Sequence, residues 1–268
     1  MSLLGEAGAE LLGGILVSET ALHGGDISQL AHIRLEDGRE AVVKNGPSPR
    51  TEAAMLAAIA ESGAPAPAVL AADEHVLVME VLPDSGSLRN AWADLGTALA
   101  TLHARRDGKY GWSEDYAFGP VAIVNDRAED WIGFWGDKRL LVNVPHIDGR
   151  LARRIERLVA DLPNRIPGRP AAALLHGDMW GGNIVVSDDR VSGLIDPACY
   201  FGHSEVDLAM LNLFGRPGGA FYDAYGALEP GYEERLTIYQ LWPALVHLRL
   251  FGGGYRPMVE GLLQQLGV

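Results

Sequence analysis

The feature that most constrains how this chain can fold is the polar segment HGDMWGGN at residues 176–183. An apolar run at residues 172–175 leads into it, and two apolar stretches joined by a polar turn follow it. The second stretch ends at Asp196. This order of strand, polar loop and hairpin predicts that Asp178, Asn183 and Asp196 act together as one unit.

These three residues have the chemistry that phosphoryl transfer requires. One carboxylate must accept or orient the proton of an attacking hydroxyl, and oxygen ligands must hold Mg²⁺. Asp178 and Asn183 have the spacing of a base and a metal ligand in a kinase catalytic loop, and Asp196 stands where the second ligand is expected. A turn-capping role is the alternative for each residue taken singly. We predict Asp178 as the catalytic base, Asn183 and Asp196 as metal ligands, and His176 as a brace of the loop.

The first eighty residues predict a small β lobe carrying one helix. An apolar strand begins at Ile15, others occupy residues 30–35 and 41–43, and Asp37-Gly38 between the last two is a strong hairpin signal. A short buried strand is predicted at residues 76–79. Lys44 therefore stands at the end of the third of three antiparallel strands.

The helix of this lobe is predicted after Ser48, with Pro49 at its first position and Gly63 beyond its end. Glu52 lies in its first turns, where a kinase needs a glutamate to fix the strand lysine, Lys44. Two further segments are predicted to contact the nucleotide. The corner between the first two strands would cover the phosphates with its backbone N–H groups; it consists of Gly24, Gly25, Asp26, Ile27 and Ser28. The hinge at the end of the 76–79 strand would bind the adenine edge through Met79, Glu80 and Leu82.

The rest of the chain is predicted to be mainly helical. Leucines and aromatic residues recur at spacings of three and four over residues 88–102, 151–162 and 236–245. The predicted fold class is α+β: a small antiparallel β lobe (residues 1–81) and a larger helical lobe (residues 82–268), with the active site in the cleft between them.

Composition narrows the classes of function. The chain has 268 residues and a formal net charge of −13, which argues against a nucleic-acid binder. No window is long and apolar enough to span a membrane, and the N-terminus lacks the basic residues of a signal peptide. The single cysteine, Cys199, excludes an intrachain disulfide and fits a reducing compartment, so we expect a cytoplasmic protein.

The motif around Asp178, together with Asp196-Pro197-Ala198 and the run YFGHSEVDLAM at residues 200–210, resembles the fructosamine kinase (ketosamine kinase) family. That family is a branch of the aminoglycoside-phosphotransferase-like kinases, which share the bilobal protein-kinase-like fold. Tyr239-Gln240-Leu241-Trp242 and His247 extend the resemblance, which covers nearly the whole chain. The chain departs from the family pattern in having Val246, where an Asn is common, before His247.

The resemblance implies ATP- and Mg²⁺-dependent phosphorylation of the sugar 3-hydroxyl of fructosamines or ribulosamines. The unstable 3-phosphate then decomposes and frees the amine, which is deglycation. The implied partner is a small glycated amine or a glycated lysine, and we expect a monomer or weak homodimer. The implied substrate contacts are Trp180, His203, Glu205 and His247. For Trp180 the alternative is a tryptophan of the hydrophobic core, and for His203 and Glu205 it is bracing of the metal loop. Asp207 is expected to cap the helix that begins there.

Two other functions remain open from the sequence. One is a kinase of the same fold acting on an aminoglycoside or a choline-like alcohol. The other is a nucleotide-binding protein with little catalysis, although Lys44, Glu52, Asp178, Asn183 and Asp196 leave nothing needed for transfer missing.

Overall fold

The computed structural model of the chain describes residues 2–22 and 28–268. The N-terminal part is built on one antiparallel sheet, whose strands run in the order β1-β2-β3-β5-β4. Gly38, at φ +86°, makes the predicted tight turn between the second and third strands, where a Cβ would be strained. The strands are β1 (Leu16–Leu22), β2 (Leu30–Leu35), β3 (Glu40–Asn45), β4 (Val69–Ala72) and β5 (Val76–Met79).

The prediction of a single helix in this lobe is wrong, because two helices accompany the sheet. These are α1 (Leu3–Leu11) and α2 (Pro49–Glu61). Helix α1 lies directly on the sheet: its small residue Gly8 faces Val43, and Ala9 joins the buried cluster of Ile33. Strand β4, which pairs with β5, is also absent from the strands that the sequence predicts.

Helix α2 begins and ends where the sequence predicts. Pro49 occupies its first turn, and Gly63 follows its end at φ +88°. Ser48 holds the N-cap position, but its side chain makes no capping hydrogen bond. Glu52 is buried on the face that meets β3. The predicted pairing of helix and third strand is therefore present.

The C-terminal part is mainly helical, as predicted. Its first predicted amphipathic helix begins at Trp92 rather than Leu88, while the predicted segments at 151–162 and 236–245 fall within or at the ends of helices. A short π-helical turn (Gly136–Leu140) and a 3₁₀ segment (Leu141–His146) follow the second helix of this lobe. The α-helices are α3 (Trp92–Ala104), α4 (Trp131–Trp135), α5 (Gly149–Asp161), α6 (Glu205–Phe214), α7 (Gly219–Tyr225), α8 (Tyr232–Phe251) and α9 (Arg256–Gln265).

Three small sheets support the loops of this lobe. They contain β6 (Arg106–Asp107), β7 (Tyr116–Phe118), β8 (Val121–Ile123), β9 (Ala172–Leu175), β10 (Ile184–Ser187), β11 (Arg190–Leu194) and β12 (Tyr200–Gly202). Strand β9 leads into the polar segment, and the β10–β11 hairpin follows it. The arrangement predicted from residues 172–196 is thus confirmed.

One hydrophobic core runs from α2 into the helical lobe. Met55 and Ile59 of α2, both fully buried, belong to the same cluster as Leu95 and Leu99 of α3. The architecture is the predicted α+β arrangement of a small β lobe and a larger helical lobe. Among the described residues, no helix is both long and apolar enough to cross a membrane.

Candidate active site

The loop after β9 is held from beneath by two close backbone contacts. Gly177 adopts φ +80°, and a Cβ built there would lie 2.0 Å from the carbonyl oxygen of Ala198. Beside it, the carbonyl of His176 accepts a hydrogen bond from the Ala198 amide at 2.8 Å. Only glycine fits this position without moving the segment after Asp196.

His176 braces the loop, as predicted. Its Nε2 donates to the carbonyl of Ile195 at 3.0 Å, and its Nδ1 accepts from the amide of Asp178 at 3.3 Å. Because a carbonyl can only accept, the ring must be the neutral Nε2–H tautomer. Burial lowers the pKa of His176 and favours this neutral form.

Asp207 anchors the same loop, which corrects its expected role as a helix cap. Its carboxylate accepts from the amides of His176 and Gly177, at 2.7 and 2.9 Å, and lies 3.1 Å from Nε2 of His103. Burial alone would raise the pKa of Asp207, but the His103 hydrogen bond and charge, together with the amide donors, hold it below its ordinary value. The buried carboxylate fixes the loop on which Asp178 stands.

Asp178 and Asn183 form the next layer of the site. The Asn183 side-chain amide donates to the backbone oxygen and to Oδ2 of Asp178, at 2.8 and 2.9 Å. Burial raises the pKa of Asp178 to about 7, although the Asn183 hydrogen bond acts in the opposite direction. A carboxyl with a pKa near neutral pH is suited to general base catalysis.

Lys44 connects the two lobes at the cleft. Its Nζ lies 2.7 Å from Oε1 of Glu52 and 2.8 Å from Oδ1 of Asp196. Burial lowers the pKa of Lys44, but the two carboxylates outweigh this effect and raise it above its ordinary value. Asp196 is one of two non-glycine residues at positive φ (+54°) in the described ranges, and such strain is common at functional sites.

A cavity of about 140 Å³ lies between these groups. Ser28, one of the residues predicted to cover the phosphates, lines it together with Lys44, Asp178, Asn183 and Asp196. The other predicted corner residues, Gly24, Gly25, Asp26 and Ile27, lie outside the described residues. Tyr116, which the sequence analysis missed, forms another wall; burial raises the pKa of its phenol, and the nearby carboxylates raise it further.

The predicted hinge follows β5. Met79 is buried in the sheet, and the Glu80 amide donates to the carbonyl of Ala68 at 2.9 Å. The Glu80 carboxylate accepts from the Ala68 amide in return, so these two Glu80 groups are occupied within the lobe. Leu82 packs over Gly193 of β11. Recognition of adenine by the remaining backbone of this segment stays a prediction.

A second, larger cavity of about 380 Å³ also has Asp178 in its lining. Trp180 lines it and is 43% exposed, which excludes the alternative of a core tryptophan. His247 also lines it; its Nδ1 donates to the carbonyl of Pro243 at 2.8 Å, which leaves Nε2 as an acceptor. Phe118 reaches this cavity from the β7–β8 hairpin. Aromatic residues at alternate positions 116 and 118, just before Gly119-Pro120, were the available signal for this wall.

The structure does not bring His203 and Glu205 to this cavity, so their predicted contact with substrate is not supported. Glu205 is 2% exposed and forms a bidentate ion pair with Arg235, with both distances 2.7 Å. His203 is buried, and its Nδ1 lies 2.9 Å from the hydroxyl of Tyr239. A buried charge requires a partner, and here the partner is on α8 rather than on a ligand.

The two predicted metal ligands, Asn183 and Asp196, would suit a cation that keeps water and phosphate ligands. Asn183 uses its NH₂ group on Asp178, which leaves its Oδ1 as an acceptor, and Asp196 has a second carboxylate oxygen besides the one bound to Lys44. In the described part of the chain, no three His, Cys, Asp or Glu side chains form a cluster that could hold a metal. Mg²⁺ typically takes only one or two protein ligands beside substrate phosphates, so this donor set suits it.

Comparison with known proteins gives a consistent result. The family model described as fructosamine kinase matches residues 14–267. A Thermus thermophilus protein assigned as a probable ketoamine kinase is 34% identical over 263 residues, which is 95% of each chain. A chloroplastic protein-ribulosamine 3-kinase of Arabidopsis thaliana is 36% identical over 200 residues, or 70% of this chain and 60% of its own length.

Solved structures agree with these relatives. A Thermobifida fusca protein assigned as a fructosamine-3-kinase superposes with a TM-score of 0.88 at 29% identity, covering 98% of this chain and 97% of its own. An aminoglycoside phosphotransferase crystallised with AMP-PNP and hygromycin B reaches a TM-score of 0.68 at 14% identity over 98% of both chains. This second likeness concerns the fold alone, which is the bilobal kinase-like fold that the sequence predicted.

Proposed function

Because this chain belongs to the fructosamine kinase family, and is thus an ATP-using phosphotransferase, we propose that it phosphorylates the 3-hydroxyl of a ketosamine. The substrate class is a fructosamine or ribulosamine, and the outcome is release of the glycated amine. The names of its relatives, which include a ketoamine kinase and a ribulosamine 3-kinase, support this substrate class and position.

The observation that carries the proposal is the position of Asp178. Its side chain lines both the small cavity beside Lys44 and the larger cavity beside Trp180. The first contains a lysine and the candidate metal ligands, as phosphates require, and the second presents an aromatic surface, as the apolar face of a sugar requires. A carboxylate at the junction can meet an acceptor hydroxyl and a phosphoryl donor together.

On the nucleotide side, Lys44 neutralises phosphate charge while Glu52 fixes its direction. The Lys44–Asp196 contact of 2.8 Å supports a position of the ammonium at the edge of the proposed metal site. Asn183 and Asp196 would hold Mg²⁺, which supplies electrostatic stabilisation of the charge on the transferred phosphoryl group.

On the acceptor side, Asp178 takes the proton of the attacking hydroxyl. Its oxygen Oδ2 accepts from Asn183, so the other carboxylate oxygen is available to the substrate. The oxygen of the substrate forms a bond to the γ-phosphorus as the bond from that phosphorus to the β–γ bridging oxygen breaks. ADP leaves with the electron pair of that bond.

The product explains the release of the amine. A phosphate on C3 lies next to the C2 carbonyl of a ketosamine and is a better leaving group than hydroxide. Enolisation toward C1 expels inorganic phosphate, and water then hydrolyses the resulting imine to the free amine and a 3-deoxyosone. These later steps require no residue of the protein.

The larger cavity favours a ketosamine over an aminoglycoside. Among its described lining residues, Asp178 is the one carboxylate. An aminoglycoside carries several ammonium groups, which need several acidic partners when they leave water. The sugar-amine linkage of a ketosamine carries one secondary ammonium, which an aromatic surface can also stabilise.

An ADP-release assay with matched acceptors tests the proposal. The panel is fructosyl-lysine, ribulosyl-lysine, fructosyl-methylamine, an aminoglycoside and choline, each with and without Mg²⁺. We expect turnover with ketosamines only, a ³¹P signal from a phosphate on C3, and later release of inorganic phosphate and amine. Turnover confined to the aminoglycoside or choline would overturn the proposal.

Asp178→Asn tests the catalytic assignment. We expect kcat to fall by about 10²–10⁴, because the amide cannot accept the hydroxyl proton, while ATP affinity changes little. Asp189→Asn, in the exposed turn between β10 and β11, is the matched control and should retain full activity. Wild-type kcat in Asp178→Asn would remove this residue from the reaction.

A further inference from the structure

We propose that the larger cavity selects ketosamines whose amine carries an apolar, preferably aromatic, group over those whose amine carries a charged chain. This inference rests on the proposed function and specifies its substrate. The sugar hydroxyls occupy the end of the cavity at Asp178, and the substituent on the nitrogen extends toward α8. We call this second region the amine pocket; it is lined by Met210, Phe214, Val246, Leu250, Phe251 and Tyr255.

The amine pocket has an aromatic wall centred on His247. The ring centroid of His247 lies 4.7 Å from that of Phe214, 5.5 Å from Phe251 and 5.0 Å from Tyr255. These rings come from α6, α8 and the 3₁₀ turn Gly253–Tyr255, so three segments converge on one surface. A flat aromatic substituent can stack on such a wall.

Exposure shows that this wall is open to a ligand. Phe251 is 50% exposed and Trp180 43%, and both line the same cavity. When an apolar group covers large aromatic side chains that are in contact with water, the free energy falls because apolar surface is removed from water. The remaining large exposed hydrophobic residues in the described ranges are aliphatic and do not line this cavity.

Charge points to the same selectivity. Beyond Asp178, the described lining contains no acidic, lysine or arginine side chain. The two nearest arginines in the sequence are directed elsewhere: Arg249 donates to Asn143, and Arg256 pairs with Asp148. A carboxylate on the amine substituent would therefore lose water without gaining a cationic partner among the described lining residues, and a primary ammonium would find no acidic partner there besides Asp178. The secondary ammonium shared by all ketosamines can lie against the aromatic faces.

Three ketosamines with the same sugar test the inference: fructosyl-benzylamine, fructosyl-methylamine and fructosyl-6-aminohexanoate. The benzyl and carboxypentyl groups are of similar size, so they differ mainly in polarity. We expect kcat/KM for the benzyl compound to exceed that for the carboxylate by at least about tenfold, with the methyl compound between them. KM for ATP should be the same with all three.

Phe251→Ala should reduce the preference for benzyl over carboxylate to about threefold or less, and Phe251→Leu should restore part of it. Leu70→Ala, at an exposed apolar residue of β4 that does not line the cavity, is the control and should keep the wild-type ratio. Equal kcat/KM for the benzyl and carboxylate compounds would overturn this inference and leave the proposed function standing. No phosphorylation of any of the three, or of the ribulosamines of the same three amines, would instead overturn the proposed function.

Discussion

At the scale of single residues, steric fit under the catalytic loop matters as much as the catalytic groups. Gly177 and Gly38 both adopt positive φ, at +80° and +86°. They differ in surroundings: a Cβ at Gly177 would meet the backbone of Ala198 at 2.0 Å, whereas nothing lies within 4 Å of a Cβ at Gly38. Substitutions at these two glycines therefore distinguish the cost of backbone strain, which both share, from the cost of the clash with Ala198, which only Gly177 has.

We therefore expect Gly177→Ala to lower the free energy of unfolding by about 4 kcal/mol or more, and to reduce kcat because Asp178 is displaced. Gly38→Ala should cost only the left-handed strain, about 1–2 kcal/mol, with kcat unchanged. Urea denaturation and the ADP-release assay measure the two effects. A Gly177→Ala protein as stable and active as Gly38→Ala would show that the Ala198 contact does not position the loop.

The predicted site residues that the structure brings together are those whose placement depends on local spacing. Asp178 and Asn183 share one loop, and Lys44 ends a strand that a hairpin signal defines. His203 and Glu205 could not be assigned in this way, because what decides their role is a distant partner. Glu205 pairs with Arg235 across two helices, and no local pattern distinguishes such an ion pair from a ligand contact.

At the scale of elements, the position of β3 depends on a helix that the sequence did not reveal. A Cβ at Gly8 of α1 would lie 2.3 Å from Cγ2 of Val43, the residue before Lys44. Two glycines within Leu3–Leu11 weaken the helical signal, yet they are what allows α1 to approach the sheet. The glycines both lower the helix propensity of this segment and allow its close packing on the sheet. Helix propensity alone therefore cannot predict α1.

A double-mutant cycle tests this contact. Gly8→Ala alone should destabilise the protein by about 1–2 kcal/mol, because the clash with Val43 exceeds the gain in helix propensity. In a Val43→Ala background the same substitution should be neutral or stabilising, which gives a coupling energy of at least about 1 kcal/mol. Thermal and urea unfolding provide the values.

Gly261→Ala is the matched control for that cycle. Gly261 lies within α9, and nothing lies within 4 Å of a Cβ built there, so the substitution should stabilise by up to about 1 kcal/mol in either background. Additivity between Gly8→Ala and Val43→Ala would contradict the packing of α1 on β3.

The elements that were predicted share strong local signals. The β2–β3 hairpin has Asp37-Gly38, and the polar loop lies between an apolar strand and a second hairpin. Strand β4 has only four residues without alternating polarity, and it is defined by pairing with β5. The β7–β8 hairpin is shorter still, although it forms a wall of both cavities through Phe118. Short elements acquire their conformation from tertiary contacts, which a single sequence does not display.

At the scale of the whole molecule, the two lobes are joined by more than a hinge. Met55 and Ile59 extend the core of the larger lobe into α2, and Lys44 contacts Asp196 across the cleft. The Cys199 amide also donates to Sδ of Met55 at 3.3 Å. Helix α2 carries Glu52 as well, so the element that fixes Lys44 is itself fixed by the other lobe.

This arrangement predicts that the lobes unfold together. All six tryptophans lie at or beyond residue 92, so intrinsic fluorescence reports the helical lobe alone, whereas hydrogen exchange of β2 and β3 reports the sheet. Ile33→Ala, at a fully buried position of the sheet cluster, should cost about 2–5 kcal/mol. We expect the loss in free energy of unfolding to be the same by fluorescence in urea as by hydrogen exchange of the sheet. The reason is that the shared core at Met55 and Ile59 couples the two lobes. An unchanged fluorescence midpoint beside a less protected sheet would show that the lobes unfold separately.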